Sequence, residues 1–93
     1  MLQMAKDQAP IYNALGYNYL TQNNIDEALT YFEKYIAAAP KNPNVYDSMG
    51  DYYVKAQDFK KAHSYFQKAF RMDSINFKSS YQKAEALKDK LGY

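Results

Sequence analysis

The sequence predicts an all-α fold in which two pairs of antiparallel helices stack side by side and one further helix closes the stack. Three observations predict it: the chain matches itself at a fixed shift, apolar residues recur at helical spacing within the repeated unit, and prolines separate the units. The 93 residues are 47% hydrophobic and 24% charged, which favours a packed globular domain over a disordered segment. We therefore expect a single domain over residues 1–93.

The internal repeat is clearest at its glycines, because Gly50 follows Gly16 by 34 residues. The same shift aligns Tyr12 with Tyr46, Leu15 with Met49, Tyr19 with Tyr53, Ala28 with Ala62 and Phe32 with Phe66. Matches of this kind in one register predict two structural units, at residues 9–42 and 43–76.

Each unit is predicted to contain two amphipathic helices. In the first unit, Ile11 and Leu15 lie at helical spacing in one half, and Leu29, Phe32 and Ile36 do so in the other. A short polar connection joins the two halves of each unit. Connections of this length force the paired helices to lie antiparallel.

The connections within the units carry residues that end and start helices. Asn23 suits the left-handed backbone conformation that ends a helix, and Asn24 or Asp58 suits the cap that starts the next one. Gln57 stands at the place of Asn23 in the second unit and suits a left-handed conformation less well.

Prolines mark the boundary between the units. Pro40 and Pro43 stop one helix and start the next, because proline cannot continue the backbone hydrogen-bond ladder, while Ser74 replaces Pro40 at the following boundary. Extended backwards, the frame places residues 1–8 on the tail of a preceding second helix, so we expect the chain to begin partway through a longer protein. Residues 77–93 carry one more amphipathic helix.

A 34-residue period with two helices per unit resembles the tetratricopeptide repeat family. The signature positions of the family fall on Tyr12, Leu15, Gly16, Tyr19, Ala28 and Phe32, and again on Tyr46, Met49, Gly50, Tyr53, Ala62 and Phe66. The resemblance implies a right-handed α-solenoid with residues 77–93 as its capping helix. It also implies that glycine and alanine notches receive aromatic rings where two helices approach closely.

Two positions depart from the family pattern. Tyr35 stands where a later small residue is expected, which Ala69 supplies in the second unit, and the second unit lacks the closing proline. We expect Tyr35 either to push the neighbouring helix outward or to fill a space beside it.

A narrower resemblance concerns residues 44–51, Asn-Val-Tyr-Asp-Ser-Met-Gly-Asp. This stretch is similar to one seen in repeat modules fused behind bacterial hydrolase and esterase domains. It implies a C-terminal part of a larger bacterial protein, with the catalytic domain of that protein as a partner. It favours a periplasmic location, although the residues themselves leave periplasm and cytoplasm both open.

Composition argues against several classes of partner. The net charge is +2, with 12 basic and 10 acidic residues scattered along the chain, so no strong field exists to hold nucleic acid. No apolar run approaches the roughly 18 residues of a membrane span. We expect neither nucleic acid nor a membrane as partner.

Catalytic, cofactor and metal sites are not expected. The chain contains no cysteine, and His63 has no second histidine at helical spacing with which to hold a metal. Ser48 lies in mid-helix without a base, and Gly16, Gly50 and Gly92 form no phosphate-binding loop. An enzymatic function is therefore disfavoured.

The candidate binding surface is the face that the first helices of such repeats turn towards a concave groove. Its predicted contact residues are Asn13, Tyr17, Asn44, Asp47, Asp51 and Tyr81. Asp47 and Asp51 lie one helical turn apart on one face, which makes the groove mildly acidic and favours a basic segment as ligand. A merely solvated helix face is the alternative explanation of the same residues.

Some tetratricopeptide domains hold the C-terminal carboxylate of heat-shock chaperones on this face with Lys, Asn and Arg. The matching positions here are Asn13, Tyr17, Asp47 and Asp51, and two acidic residues repel a carboxylate. We therefore predict that this chain does not bind chaperone tails.

Tyrosines that recur with the repeat are predicted to be core rings, whereas Tyr17, Tyr52 and Tyr93 have no repeat partner and are predicted to be exposed contacts. Two functions follow. The first is a non-catalytic module that binds a protein or peptide. The second is a structural element that packs on an attached catalytic domain or pairs weakly with a copy of itself, since the apolar side of the helix from Ile11 to Leu20 is only partly covered.

Overall fold

The computed structural model describes residues 8–92, which form five α-helices. They are α1 (Ala9–Thr21), α2 (Ile25–Ala38), α3 (Pro43–Lys55), α4 (Phe59–Met72) and α5 (Lys78–Leu91). No strand occurs among these residues, and the predicted all-α fold is confirmed. The predicted helix tail at residues 1–8 lies, except for Gln8, outside the described residues.

The helices are stacked in chain order. Short connections and dense packing place α1 antiparallel to α2, and α3 antiparallel to α4. The last helix, α5, packs on α4. The stack measures 47 Å along its longest axis, which agrees with five helices at the usual separation of about 8–10 Å.

The turns inside both pairs have the same geometry. Asn23 and Gln57 have φ angles of 64° and 65°, so each lies in the left-handed region. In the first turn the backbone N–H of Asn24 donates to Tyr19 O at 2.9 Å, which satisfies a carbonyl at the end of the helix. Gln57 thus adopts a conformation that costs a non-glycine residue about 1–2 kcal/mol.

The helix starts use side-chain caps in two places. Asp58 accepts a hydrogen bond from the backbone N–H of Lys61 at 3.3 Å at the start of α4, as predicted. Asn42 accepts one from the backbone N–H of Asn44 at 3.0 Å, directly before Pro43. Asn24 makes no side-chain cap to α2.

Two glycine notches hold the pairs together. A Cβ atom built on Gly16 would lie within 2.9 Å of three atoms of the Phe32 ring, and one built on Gly50 would lie equally close to Phe66. Both rings are fully buried. The predicted contact between a notch in the first helix and a ring from the second is therefore present in both repeats.

Tyr35 fills a space between α2 and α3. It is buried in a cluster with Val45, Tyr46 and Ala69, and its hydroxyl accepts a hydrogen bond from Asn44 Nδ2 at 2.9 Å. Of the two outcomes expected for this large residue, the structure shows the second, because the phenol both packs and finds a polar partner.

Repeated tyrosines form ring stacks between the two helices of each pair. Tyr19 stacks on Tyr31, and Tyr53 stacks on Tyr65, with ring centroids 5.6 Å apart in both cases. Tyr52 was expected to be exposed, and that prediction is wrong: only 6% of the residue is accessible, and it packs in the core with Phe32. Tyr93 lies outside the described residues.

Candidate functional site on the first helices

The predicted contact residues separate into two groups. Asn13, Tyr17, Asp47 and Asp51 lie along the seam where α1, α3 and α5 meet. Asn44 instead donates to the buried Tyr35, and Tyr81 is 46% exposed with its ring against Phe70, at 5.0 Å between centroids. The first group is brought together by the fold and the other two residues are not.

Hydrogen bonds join α1 to α3. Ser48 Oγ donates to Asn13 Oδ1 at 2.7 Å, and the Tyr17 hydroxyl donates to Asp51 Oδ2 in a short hydrogen bond. Ser48 is fully buried, so its hydroxyl needs this partner.

Lys83 and Ser80 join α5 to α3. The Lys83 ammonium lies 3.2 Å from Asp47 Oδ2 and 3.0 Å from Asp51 Oδ1, and Ser80 Oγ donates to Asp47 Oδ1 at 2.6 Å. We call the whole set the polar seam: Asn13, Tyr17, Asp47, Ser48, Asp51, Ser80 and Lys83.

Sequence reasoning did not find Ser48, Ser80 or Lys83 as members of the seam. The sequence did contain a feature that could have identified Lys83 as a seam residue. The 34-residue frame places Lys83 at the position that Leu15 and Met49 occupy in the two repeats. A cation at a position that is apolar in both repeats indicates a charged partner nearby.

The polar seam has less negative charge than the two aspartates suggest. Two carboxylates and one ammonium leave a net charge of −1. The side chains of Asp47, Asp51 and Lys83 are 14%, 28% and 38% exposed. Each is therefore accessible to a ligand, while solvent screens its charge only in part. Each carboxylate oxygen already accepts one hydrogen bond and has capacity for another.

The sequence pattern of the tetratricopeptide repeat family matches residues 9–42 and again residues 43–76. The chain belongs to the tetratricopeptide repeat family. In this chain the seam residues lie on α1 and α3, which are the first helices of the two matched repeats, and on α5.

Two known proteins show the extent of the likeness. The tetratricopeptide repeat domain-containing protein PYG7, chloroplastic, of Arabidopsis thaliana is 29% identical over 86 residues, which cover 92% of this chain and 28% of that protein. The chain thus spans less than a third of that relative. The solved TPR2B domain of yeast Sti1, in a complex with pHsp70, has a TM-score of 0.78 at 22% identity and covers 95% of this chain and 67% of that one. It shows that the two chains share the repeat fold. Neither protein is named as a hydrolase or esterase.

Two side chains of the polar seam, Tyr17 and Lys83, have raised pKa values. Burial raises the pKa of the Tyr17 phenol, and its hydrogen bond to Asp51 raises it further. Burial alone would lower the pKa of Lys83, but the hydrogen bond and charge of Asp51, with those of Asp47, outweigh it, so the pKa of Lys83 is raised. Tyr17 therefore stays protonated and Lys83 stays charged throughout the neutral range.

The other side chains considered for chemistry, His63 and Ser48, are both buried. His63 is buried on α4, and Ser48 is bonded to an amide and not to a base. Across residues 8–92 there is no group of three His, Cys, Asp or Glu side chains that could hold a metal ion. No helix in this part of the chain is long and apolar enough to cross a membrane.

Proposed function

We propose that this chain is a non-catalytic tetratricopeptide module that binds a protein or peptide segment along the face of α1, α3 and α5. The observation that carries the proposal is the polar seam, in which α1 and α3 of the two repeats and the following α5 contribute to one continuous row of hydrogen-bonding groups. The relative from yeast, whose domain was solved with pHsp70, supports a peptide or protein as the class of ligand.

The chemistry of the seam favours a basic side chain in that ligand. The net charge of −1 attracts a cation, and Asp47 and Asp51 retain acceptor capacity for a guanidinium or ammonium. A ligand carboxylate would meet Lys83, but it would also lie beside both aspartates. We therefore propose that this chain does not bind the carboxylate tail of a chaperone.

Binding of charged peptides tests the proposal. Fluorescein-labelled peptides of equal length, one series carrying arginine and the other carrying glutamate, are titrated with the chain and followed by anisotropy. We expect the arginine series to bind more tightly, and Asp51→Asn to weaken that binding about tenfold, or about 1.4 kcal/mol. Asp89→Asn is the matched control, because Asp89 lies exposed on α5 and changes the net charge equally.

Two results would contradict the proposal that Asp51 recognises a basic ligand. One is a preference for the glutamate series, which would identify Lys83 as the recognising group. The other is equal loss of binding in Asp51→Asn and Asp89→Asn, which would indicate a general charge effect instead of a local contact.

An assembly role is a second candidate, favoured by Ile11, which is 56% exposed on α1. In that role the chain, as the C-terminal part of a larger bacterial protein, packs on an attached hydrolase domain or on a copy of itself. The resemblance of residues 44–51 motivates the attached domain, and the uncovered α1 motivates the copy.

A further inference from the structure

The exposed face of α4 carries positive charge and no negative charge. Its accessible side chains follow helical spacing, so they share one side of the helix, and we call them the basic face: Lys60, Lys61, Ser64, Lys68 and Arg71. Within residues 8–92 only one of these cations makes an ion pair, which joins Lys61 Nζ to Asp58 Oδ2 at 3.9 Å. The basic face is therefore largely unneutralised, although the whole chain has a net charge of only +2.

The repeat shows that the fold does not require this sign of charge. A shift of 34 residues places Asp26 and Glu27 of α2 at the positions of Lys60 and Lys61 of α4. Both helices form the same antiparallel pair with a first helix, so the packing accepts acidic and basic residues alike at these positions. The cations of α4 are thus not needed to hold the helix pair together.

Neighbouring repeats do not cover this face. The helix α2 packs on α1 on one side and on α3 on the other, yet Asp26, Glu27, Thr30 and Lys34 are all exposed. The equivalent side chains of α4 therefore stay accessible wherever α4 stands in a stack of helix pairs. A ligand can reach the basic face without displacing a helix.

A row of tyrosine rings holds two of the lysines in place. Tyr65 of α4 stacks between Tyr46 and Tyr53 of α3, with centroid distances of 6.3 and 5.6 Å. The Lys68 ammonium lies 4.2 Å from the centroid of Tyr46, and the Lys61 ammonium lies 5.4 Å from that of Tyr53. These contacts restrict both side chains and leave the outer side of each ammonium open to an anion. Seven residues separate the two lysines, or about 10 Å along the helix axis.

A shallow depression lies at the start of the basic face. It has a volume of about 510 Å³ and is lined by Tyr53, Lys60, Lys61, Ser64 and Tyr65. Each of these side chains ends in a hydrogen-bond donor, and none is a carboxylate. A carboxylate from a ligand would accept charge-assisted hydrogen bonds from the two ammonium groups there.

We propose that the basic face binds an acidic segment of a partner protein, with one carboxylate in the depression and another about 10 Å away at Lys68. Charge complementarity decides the ligand, because four cations with one acidic neighbour attract a segment rich in carboxylates. The cations are confined to one helix face, and a net charge of +2 provides no wider positive field of the kind that holds a nucleic acid backbone.

This surface shares no residue with the polar seam, so the inference goes beyond the proposed function and does not rest on it. The cations of the basic face are exposed, and salt screens them more strongly than the partly buried seam. We therefore expect the acidic segment to bind less tightly than a basic segment binds the seam, and to bind more weakly as the ionic strength rises.

Anisotropy of a fluorescein-labelled, glutamate-rich peptide tests the proposal. We expect the full chain to bind it, and Lys60→Asp together with Lys61→Glu, the α4 variant, to weaken binding at least about tenfold. The α4 variant should keep its helicity by circular dichroism, because the first repeat carries these two acidic residues at the same positions. Lys41→Asp together with Lys78→Glu is the matched control, since both lysines are exposed outside α4 and the charge changes equally.

Failure of the wild-type chain to bind the peptide would overturn the proposal, and so would equal losses in the α4 variant and the matched control. Loss of binding in Lys83→Met would place the peptide at the polar seam instead. Tighter binding of a thymidine oligonucleotide of equal charge, lost in the α4 variant, would identify nucleic acid as the ligand. A wild-type dimer that the α4 variant dissociates in sedimentation would identify a second copy. Arginine peptides should bind the α4 variant as tightly as wild type, which keeps this test separate from that of the seam.

Discussion

The ammonium of Lys83 on α5 lies 3.0 Å from the carboxylate of Asp51 on α3, and the same ammonium lies 3.2 Å from Asp47. One side chain therefore contacts two successive turns of the neighbouring helix. Lys83 also packs over the Phe66 ring at 4.9 Å, between the polar seam and the core. The last helix is attached by these charged contacts as well as by the burial of Ala84 and Leu87.

Replacement of Lys83 by methionine should lower the free energy of unfolding by about 1 kcal/mol. The apolar stem is kept, but two partly buried carboxylates lose their shared cation, and the effect is moderated by solvent because the lysine side chain is 38% exposed. Urea denaturation measures the change. The double variant Lys83→Met with Asp51→Asn should recover part of the loss, and no recovery would mean that the charge pair contributes nothing to stability.

Replacement of Gly50 by alanine should destabilise the chain by about 1–3 kcal/mol, although alanine is the better helix former by roughly 1 kcal/mol. The added methyl would lie within 2.9 Å of the Phe66 ring, which is fully buried and has little room to move. Thermal and urea unfolding measure the change. Phe66→Leu in the Gly50→Ala background makes room, so the two substitutions together should cost less than their sum. Simple additivity would show that the ring does not oppose the methyl.

The glycine and phenylalanine contact could be predicted from the sequence because it occurs twice in one register. Gly16 with Phe32 and Gly50 with Phe66 each require a residue without a side chain opposite a large ring, and no other explanation fits two such pairs at the same spacing. The all-α fold followed from the same repetition.

Tyr52 was predicted wrongly because a missing repeat partner does not by itself indicate an exposed side chain. Its counterpart in the frame is Asn18, which is exposed on α1. Tyr52 instead packs against Phe32 of α2 and is buried. Equivalent positions of two repeats can therefore face different neighbours, and the sequence alone does not show which.

The partners within the polar seam could not be predicted for a different reason. Ser48 bonds to Asn13 across one junction, whereas Ser80 bonds to Asp47 across the next, and Ser48 and Ser80 do not align in the 34-residue frame. The paired positions across the α3–α5 junction thus differ from those across the α1–α3 junction. Which side chains meet across a junction follows from three-dimensional packing, which the repeat spacing does not specify.

Replacement of Gln57 by glycine should stabilise the chain by roughly 0.5–1 kcal/mol. Gln57 is held at a φ of 65°, where glycine is unstrained. The backbone strain that glycine relieves in the folded chain is larger in free energy than the stabilisation of the unfolded chain by the added flexibility of glycine. Asn23→Gly is the matched control in the first turn, and its gain should be smaller because asparagine tolerates the left-handed region. Equal changes in urea midpoint for the two variants would contradict this account.

Stability should be constant from neutral pH to about pH 10 and should then fall as the pH rises. The pKa values of Tyr17 and Lys83 are both raised in the folded chain, so the folded state keeps protons that the unfolded state loses above about pH 10. The stabilisation that comes from these two raised pKa values is complete at any pH below the pKa values of the two groups in the unfolded chain. It is lost as the pH rises through their pKa values in the folded chain. Urea midpoints between pH 8 and about pH 11.5 measure the decline. In Tyr17→Phe one titrating group is removed, and the decline should be shallower by up to about 1.4 kcal/mol per pH unit. An unchanged slope in that variant would show that Tyr17 gives up its proton as readily in the folded chain as in the unfolded one.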